Sequence, residues 1–240
     1  MSGTVSEATI LVPIDASDPG EPPESLVELL GPHSLVILGY YPVPDQSSTD
    51  QLRSQFGEEA TDAIEAIADR FARVGDDVES TVVFTRDRSG AIDRAAADHG
   101  VDAVLTAATT EADLDRVLVP LRGEDNLERI VAFVSVLLAG SEAEATLFNV
   151  AESAEDASQG EFIVRGARDR LAEDVPDPDR LDWRQEVARS SSAGILAAAE
   201  EYDLLVVGES QPSLRERILG DVTDRIIEDS PCPVLIVRNR

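Results

Sequence analysis

Short apolar runs alternate along this chain with longer segments in which apolar residues recur every three or four positions. Short runs rich in valine, isoleucine and leucine predict buried strands, and the longer spacing predicts amphipathic helices. Strands that alternate with helices predict right-handed crossovers and parallel sheets that are buried on both faces. The pattern therefore predicts the α/β fold class.

The pattern runs through the chain twice, beginning at residues 9–15 (Thr-Ile-Leu-Val-Pro-Ile-Asp) and again at residues 116–122 (Arg-Val-Leu-Val-Pro-Leu-Arg). Further predicted strands cover residues 34–41, 78–84 and 103–107 in the first copy, and 145–150, 183–187, 204–207 and 233–238 in the second. Predicted helices cover residues 23–30 and 49–74 in the first copy and 126–139, 155–172 and 214–229 in the second, with one more helix in each copy near Gly90 and Gly194.

The polar residues 109–115 separate the two copies. We therefore expect two doubly wound parallel-sheet domains, residues 1–112 and residues 113–240. The copies are unequal, because the first passes almost directly from its fourth strand to residues 117–121. The loop, helix and strand that close the second copy are expected to be missing from the first.

The charge of the chain indicates its environment and excludes one class of partner. The net charge is −28, from 48 acidic and 20 basic residues, and every basic residue is arginine. Such a charge density repels itself in dilute buffer, whereas molar salt shortens the Debye length to about 3 Å and screens the repulsion. This is the composition expected of a halophile, such as a halophilic archaeon, although a merely acidic protein is the alternative. In both cases the field repels phosphate backbones, so no nucleic-acid partner is expected.

The sequence predicts a cytoplasmic protein without membrane insertion. No segment approaches the roughly 20 apolar residues that a membrane span needs, and residues 1–7 carry no signal-like pattern. The single cysteine, Cys232, excludes an internal disulfide and a cysteine-based zinc cluster, and we expect it to be buried and no metal to be bound. The single tryptophan, Trp183, is expected in a core or at an interface.

The end of the second copy carries a more specific pattern. A strand that ends in Gly208 is followed by a loop, Gly220, a helix and the strand Pro-Cys-Pro-Val-Leu-Ile-Val at residues 231–237. Together with Ile-Leu-Val-Pro-Ile-Asp at residues 10–15, this order resembles the universal stress protein (UspA-like) family, here as a tandem pair of domains. The resemblance implies an adenine-nucleotide alpha-hydrolase type of fold, five parallel strands in a complete domain, frequent dimerisation through the last strand, and ATP binding in some members.

The resemblance also implies where a nucleotide would bind. The family's phosphate loop reads Gly, two residues, Gly, nine residues, Gly and then Ser or Thr, and its backbone N–H groups and the following helix N-terminus suit phosphate oxygens. Gly208 and Gly220 match the outer glycines, whereas Gln211 stands at the middle position. Asp221 replaces the hydroxyl residue, and Thr223 offers a substitute hydroxyl.

In the same family an Asp that closes the first strand contacts the nucleoside. The first copy keeps it as Asp15 but lacks the phosphate loop, and the second copy has Arg122 there. A carboxylate at Asp221 would repel a triphosphate by several kcal/mol at a low effective dielectric constant. We therefore expect the residual positions not to form a working ATP site: Asp15, Gly208, Gly220, Asp221 and Thr223.

The expected function is a regulatory or interaction module of the stress response that binds and does not catalyse. The sequence has no nucleophile elbow and no Walker lysine. Two alternatives stay open: an ATP-binding stress protein that uses a residual site in the second copy, and a nucleotide-dependent enzyme of the wider α/β group. A membrane transporter is an expected partner by family analogy alone.

The missing last strand of the first copy would leave a bare sheet edge, which proteins normally cover. The last strand of the second copy is of the kind that the family uses to pair domains antiparallel. We therefore expect Val234, Leu235 and Ile236 to lie at an interface, either with the first copy of the same chain or with a second molecule in a homodimer.

Overall fold

The computed structural model describes residues 8–106, 113–123, 126–209 and 221–239, and for residues 221–224 it describes the backbone alone. The first half of the chain consists of β1 (Thr9–Asp15), α1 (Glu24–Leu30), β2 (Ser34–Pro42), α2 (Thr49–Phe71), β3 (Val78–Thr85), α3 (Arg88–Asp98) and β4 (Ala103–Thr106). The second half consists of β5 (Arg116–Pro120), α4 (Leu127–Ala139), β6 (Glu144–Ala151), α5 (Ala154–Leu171), β7 (Leu181–Val187), α6 (Ser191–Ala199), β8 (Leu204–Gly208), α7 (Asp221–Asp229) and β9 (Val234–Val237), with a 3-10 turn at Pro178–Arg180.

The predicted α/β class is confirmed, and the strands begin and end within two residues of the predicted positions. Helix α2 ends at Phe71, earlier than predicted, because the N–H groups of Val74 and Gly75 both turn back to the Phe71 carbonyl, at 2.9 and 3.1 Å. The predicted helix over 214–229 corresponds to α7 from Asp221 onward, and residues 214–220 lie outside the described residues.

The strands of both halves form one nine-stranded sheet in the order β3-β2-β1-β4-β9-β8-β5-β6-β7. The two sheets expected from the sequence are therefore joined edge to edge. Neighbouring strands run parallel within each half, and the junction between β4 and β9 is antiparallel. The first-half strands therefore run in the opposite direction to the second-half strands. Their carboxyl ends lie on the side of the sheet where the second-half strands begin.

The junction places the last strand of the chain against the first half. Ala103, Val104, Leu105 and Thr106 stand opposite Val237, Ile236, Leu235 and Val234. The Thr106 hydroxyl also donates to the Val234 carbonyl at 3.1 Å. Of the two positions that the sequence offered for this strand, the structure has the one within the same chain.

The two halves share a continuous core on one face of the sheet. Apolar residues of α1, α2, α4 and α5 pack there in a single cluster that includes Ile10, Ile64, Val117 and Val164. The opposite face is covered by α3 over the first half and by α6 and α7 over the second. Cys232 is buried there as expected, and burial foremost raises the pKa of its thiol.

One acidic residue in each half ties the start of two strands together. Asp102, before β4, accepts a hydrogen bond from the Thr9 N–H at 3.0 Å, and Asp203, before β8, accepts one from the Arg116 N–H at 2.9 Å. The Arg116 guanidinium also pairs with Asp203 at 3.3 Å. These two aspartates perform the same structural task in each half.

Candidate functional site

The second half has a crevice where its chain direction switches. Strands β5 and β8 are neighbours, yet the chain leaves β5 through α4 towards β6 and leaves β8 through α7 towards β9. In open α/β sheets the crevice at such a switch, outside the carboxyl ends of the strands, is where ligands bind. The candidate site is therefore bounded by the residues that follow β5 and β8.

The loop after β5 is held by the neighbouring strand β6. The Leu121 N–H donates to the Phe148 carbonyl, and the Asn149 side-chain amide donates to the Leu121 carbonyl, both at 2.7 Å. Arg122 follows and is exposed to solvent. Asn126, directly before α4, has a φ of 62°, in the left-handed region that asparagine tolerates better than most residues. Hydrogen bonds to β6 thus hold the residues that directly follow β5, and Asn126 begins α4 from a left-handed backbone conformation.

Asn149 is buried, with 5% of its surface exposed, and it constrains the helix above it. A β-carbon on Gly160 of α5 would lie well inside van der Waals contact with the Asn149 side-chain oxygen. Among the described atoms that oxygen has no hydrogen-bond partner. The sequence analysis missed this residue, although an asparagine near the end of a strand predicted to be buried was a visible signal.

Residues on both sides of the crevice are tied together. The Asn126 side-chain amide donates to the Glu209 carbonyl at 3.0 Å, which links the start of α4 to the residue after β8. The Glu209 N–H donates to the Val237 carbonyl at 2.8 Å. The loop after β5, the end of β8 and the end of β9 are thus connected through one residue.

The Glu209 carboxylate lies in the same place and is largely enclosed. It accepts a hydrogen bond from the Asn239 N–H at 3.0 Å, and the Arg238 guanidinium lies 3.9 Å away. Only 20% of the Glu209 side chain and 11% of the Arg238 side chain are exposed. A carboxylate therefore lies at the beginning of the segment after Gly208, which the family resemblance identifies as the position of a phosphate loop.

Gly208, a predicted site residue, has a packing role that the sequence did not reveal. A β-carbon there would come within 2.7 Å of the Ile130 Cδ1 atom on α4. A larger residue at position 208 would therefore force the Ile130 side chain, or α4 that carries it, to shift. Gly208 thus permits close packing of α4 on β8.

The hydrogen bond between the Asn126 side chain and the Glu209 carbonyl is called the tie below. An open depression of about 750 Å³ adjoins it. It is lined by Asn126, Leu127, Glu128, Arg129 and Asn239, from the start of α4 and the residues after β9. These residues were not predicted, because only the three-dimensional fold brings residue 239 next to residues 126–129.

Residues 113–238, more than half of the 240-residue chain, match the model of the universal stress protein family. The chain belongs to the universal stress protein family. This confirms the family resemblance that the sequence motifs suggested.

Solved structures extend the likeness in fold to the whole chain. A universal stress protein from Archaeoglobus fulgidus has 18% identity and a TM-score of 0.63, over 96% of this chain and 98% of its own. A putative universal stress protein from Pseudomonas aeruginosa has 12% identity and a TM-score of 0.57, over 98% of this chain and 94% of its own. A comparison with curated proteins found no match.

Of the predicted nucleotide-site residues of this universal stress protein, the structure describes Asp15 and Gly208 in full, and these two lie far apart in the sheet. Asp15 lies at the carboxyl end of β1 and Gly208 at the carboxyl end of β8. Because β4 and β9 pair antiparallel, these two ends lie on opposite sides of the sheet along the strand direction. The Asp15 carboxylate is occupied locally, since it accepts from the Ser17 N–H at 2.9 Å and the Ser17 hydroxyl at 2.6 Å. Gly220 lies outside the described residues, and Asp221 and Thr223 lie in the first turn of α7, where only the backbone is described.

An aromatic and a cationic side chain pair at the carboxyl ends of the first-half strands. Tyr40 stands beside Asp15 in the register of β1 and β2, and the Arg88 guanidinium lies over its ring at 4.7 Å. Burial raises the pKa of Tyr40, opposed by the positive charge of Arg88 and supported by the negative charge of Asp15. Tyr40 is buried, whereas Arg88 is exposed.

Two further searches cover only the described part of the chain. It contains no group of three or more histidine, cysteine, aspartate or glutamate side chains arranged to hold a metal ion. None of its helices combines the length and the apolar character required to cross a bilayer.

Proposed function

We propose that this universal stress protein is a regulatory or interaction module of the stress response whose second-half nucleotide crevice is closed. The observation that carries the proposal is the hydrogen bond from the Asn126 side chain to the Glu209 carbonyl at 3.0 Å. It spans the mouth of the crevice between β5 and β8, where a nucleotide would have to enter.

The charges around the crevice support the same function. The enclosed Glu209 carboxylate precedes the loop that would have to cradle phosphates, and its nearest cation, Arg238, already pairs with it. Arg122 stands where the family's nucleoside-binding aspartate would be. Placing a phosphate beside an enclosed carboxylate is unfavourable, because like charges repel strongly where the effective dielectric constant is low.

A second candidate function, nucleotide binding at a residual site, is favoured by one observation. The depression beside the tie, at about 750 Å³, has the size of a small-molecule site, and Arg129 and Asn239 are among the residues that line it. In that function a nucleotide would lie against the start of α4, outside the tied mouth.

Equilibrium binding separates the two candidates. Calorimetric titration of the protein with Mg-ATP, AMP and cyclic AMP in about 2 M KCl, where surface repulsion is screened, should show no affinity tighter than about 100 μM. Micromolar binding that is lost in an Arg129→Ala variant would establish the second function instead.

A further inference from the structure

Strand β7 forms one outer edge of the nine-stranded sheet, and in the described residues its strand partner is β6. The Ala188 N–H donates to the Ala151 carbonyl of β6, so even-numbered residues of this segment turn their backbone groups inward. Those of Trp183, Gln185 and Val187 therefore point outward, away from the sheet. Such an edge is a template for pairing with a further strand.

Part of this edge is occupied by local hydrogen bonds and part is not. The Trp183 N–H donates to the Asp182 carboxylate at 2.7 Å, and Arg168 of α5 donates to the Leu181 carbonyl at 3.4 Å. No hydrogen bond from the outward backbone groups of Gln185 and Val187 is found among the described residues. The strand contains no proline, which natural edges use to prevent pairing.

We propose that β7 pairs antiparallel with β7 of a second copy of this chain, about a twofold axis at Gln185. In this register Trp183 of each copy meets Val187 of the other, and Arg184 meets Glu186. Residues whose backbone N–H and C=O groups point away from the sheet then stand opposite one another in the two copies, as an antiparallel ladder requires. The sequence Trp-Arg-Gln-Glu-Val at 183–187 is thus complementary to itself in both size and charge.

The side chains fit this pairing. Val187 is 55% exposed, one of three exposed large apolar residues in the described part of the chain, and it lies on the same sheet face as the half-buried Trp183. Aromatic and β-branched residues that face each other across strands stabilise a sheet, as do opposite charges. Within the single chain Arg184 already pairs with Glu186 and Glu201, so dimerisation exchanges one of these partners for its equivalent in the second copy.

The opposite edge of the sheet provides an internal comparison. Val78 of β3 and Leu181 of β7 are equivalent positions in the two halves, because each is the first residue of its strand to pair with the neighbouring strand. Counted from there, Ser80, Thr81, Val83 and Phe84 of β3 correspond to Trp183, Arg184, Glu186 and Val187. Phe84 is covered by the Tyr41 ring at a centroid distance of 4.7 Å. The β3 edge therefore has neither a complementary charge pair nor an uncovered apolar residue at its end.

Helix α5 extends the same surface. It packs on β6 and β7, and its Arg165 guanidinium lies over the Trp183 ring at 5.4 Å while pairing with Glu161 at 3.1 Å. A twofold axis perpendicular to the sheet brings the second α5 alongside on the same face. One strand alone falls short of the roughly 800 Å² per partner of a standard interface, so both elements contribute.

Sedimentation velocity in about 2 M KCl, between about 1 and 100 μM protein, tests the proposal, because molar salt screens the net repulsion between copies. The expected result is a reversible dimer. Val187→Glu places a carboxylate against Trp183, and Gln185→Pro removes the outward N–H at the twofold axis without touching the β6 ladder. Each should weaken dimerisation at least about 30-fold.

The matched controls are Ser80→Glu and Ser80→Pro on the exposed β3 edge, which should dimerise as the unmodified chain does. Trp183, the single tryptophan, adds a second readout, since its emission should shift to shorter wavelength as the dimer forms. A monomer throughout the concentration range overturns the proposal. So does a dimer that Val187→Glu leaves intact, or one that the Ser80 variants disrupt equally. If Gln185→Pro fails to fold, Val187→Glu decides the question.

Discussion

The side-chain amide of Asn126 donates a hydrogen bond to the backbone carbonyl of Glu209 at 3.0 Å, across the crevice between β5 and β8. Residue 126 lies directly before α4 and residue 209 directly after β8, so this bond links the two segments that would have to separate around a ligand. The tie is specific to a side chain that the fold holds in a left-handed backbone conformation, which limits the residues that could replace it.

Salt should control the stability of the whole chain. Because the net charge is −28, mutual repulsion destabilises the folded state in dilute buffer and is screened in molar salt. Thermal unfolding followed by circular dichroism should give a clearly higher Tm in about 2 M KCl than in about 0.1 M KCl. Equal Tm values would contradict a halophilic adaptation.

The β4–β9 junction should be essential for folding. Val234 is 1% exposed and stands opposite Thr106, so Val234→Asp buries a carboxylate without a partner and should cost at least about 3 kcal/mol in free energy of unfolding. The same change at Val74, which is 45% exposed, is the control and should cost under about 1 kcal/mol. Denaturant unfolding in high salt measures both, and similar losses would refute the assigned pairing.

Two glycines of α5 should respond in opposite ways to the same substitution. Gly160→Ala forces a methyl group against the Asn149 side chain and should destabilise the protein by about 1–3 kcal/mol. Gly166→Ala enters open space and should stabilise it by about 0.5–1 kcal/mol through helix propensity. Chemical unfolding of the two variants compares them directly, and a gain for both would show that Asn149 is free to move.

His33 should make stability depend on pH. It is buried, and burial lowers its pKa below the ordinary 6.5. Below 6.5 the unfolded chain therefore takes up the proton more readily than the folded chain, so this contribution is complete above that pH and is lost as the pH falls towards the lowered pKa. The slope of unfolding free energy against pH in this window should decrease in His33→Gln.

His99→Gln, at the chain's other histidine, provides the comparison for that slope. An unchanged slope in His33→Gln would assign the pH dependence to other groups.

The sequence was sufficient to predict the local elements and the repeated order of the two halves. Apolar runs such as Thr9–Asp15 carry their strand assignment in their own composition, and the motif ending at Val237 was specific enough to indicate the family. It could not decide what pairs with the outer edge of β9, because that edge fits a neighbouring half or a second molecule equally well.

The candidate site was only partly predictable for a related reason. Gly208 was identified from its motif, but its contact with Ile130 depends on how α4 packs. Glu209, Arg238 and Asn239 come together only because β8 and β9 end at the same sheet edge. The sequence assigned Asp15 and Gly208 to different copies, and the antiparallel junction places them at opposite ends of the strands.

Calorimetric titration with Mg-ATP in about 2 M KCl, comparing the unmodified chain with Asn126→Ala/Glu209→Gly, tests the closed crevice most directly. Asn239→Ala is the control, because Asn239 bonds to Glu209 through its backbone N–H alone and the tie therefore persists. We predict no binding tighter than about 100 μM for the unmodified chain and the control, and at least about tenfold tighter binding for the double variant. Micromolar ATP binding by the unmodified chain, as tight as that of the double variant, would contradict the account.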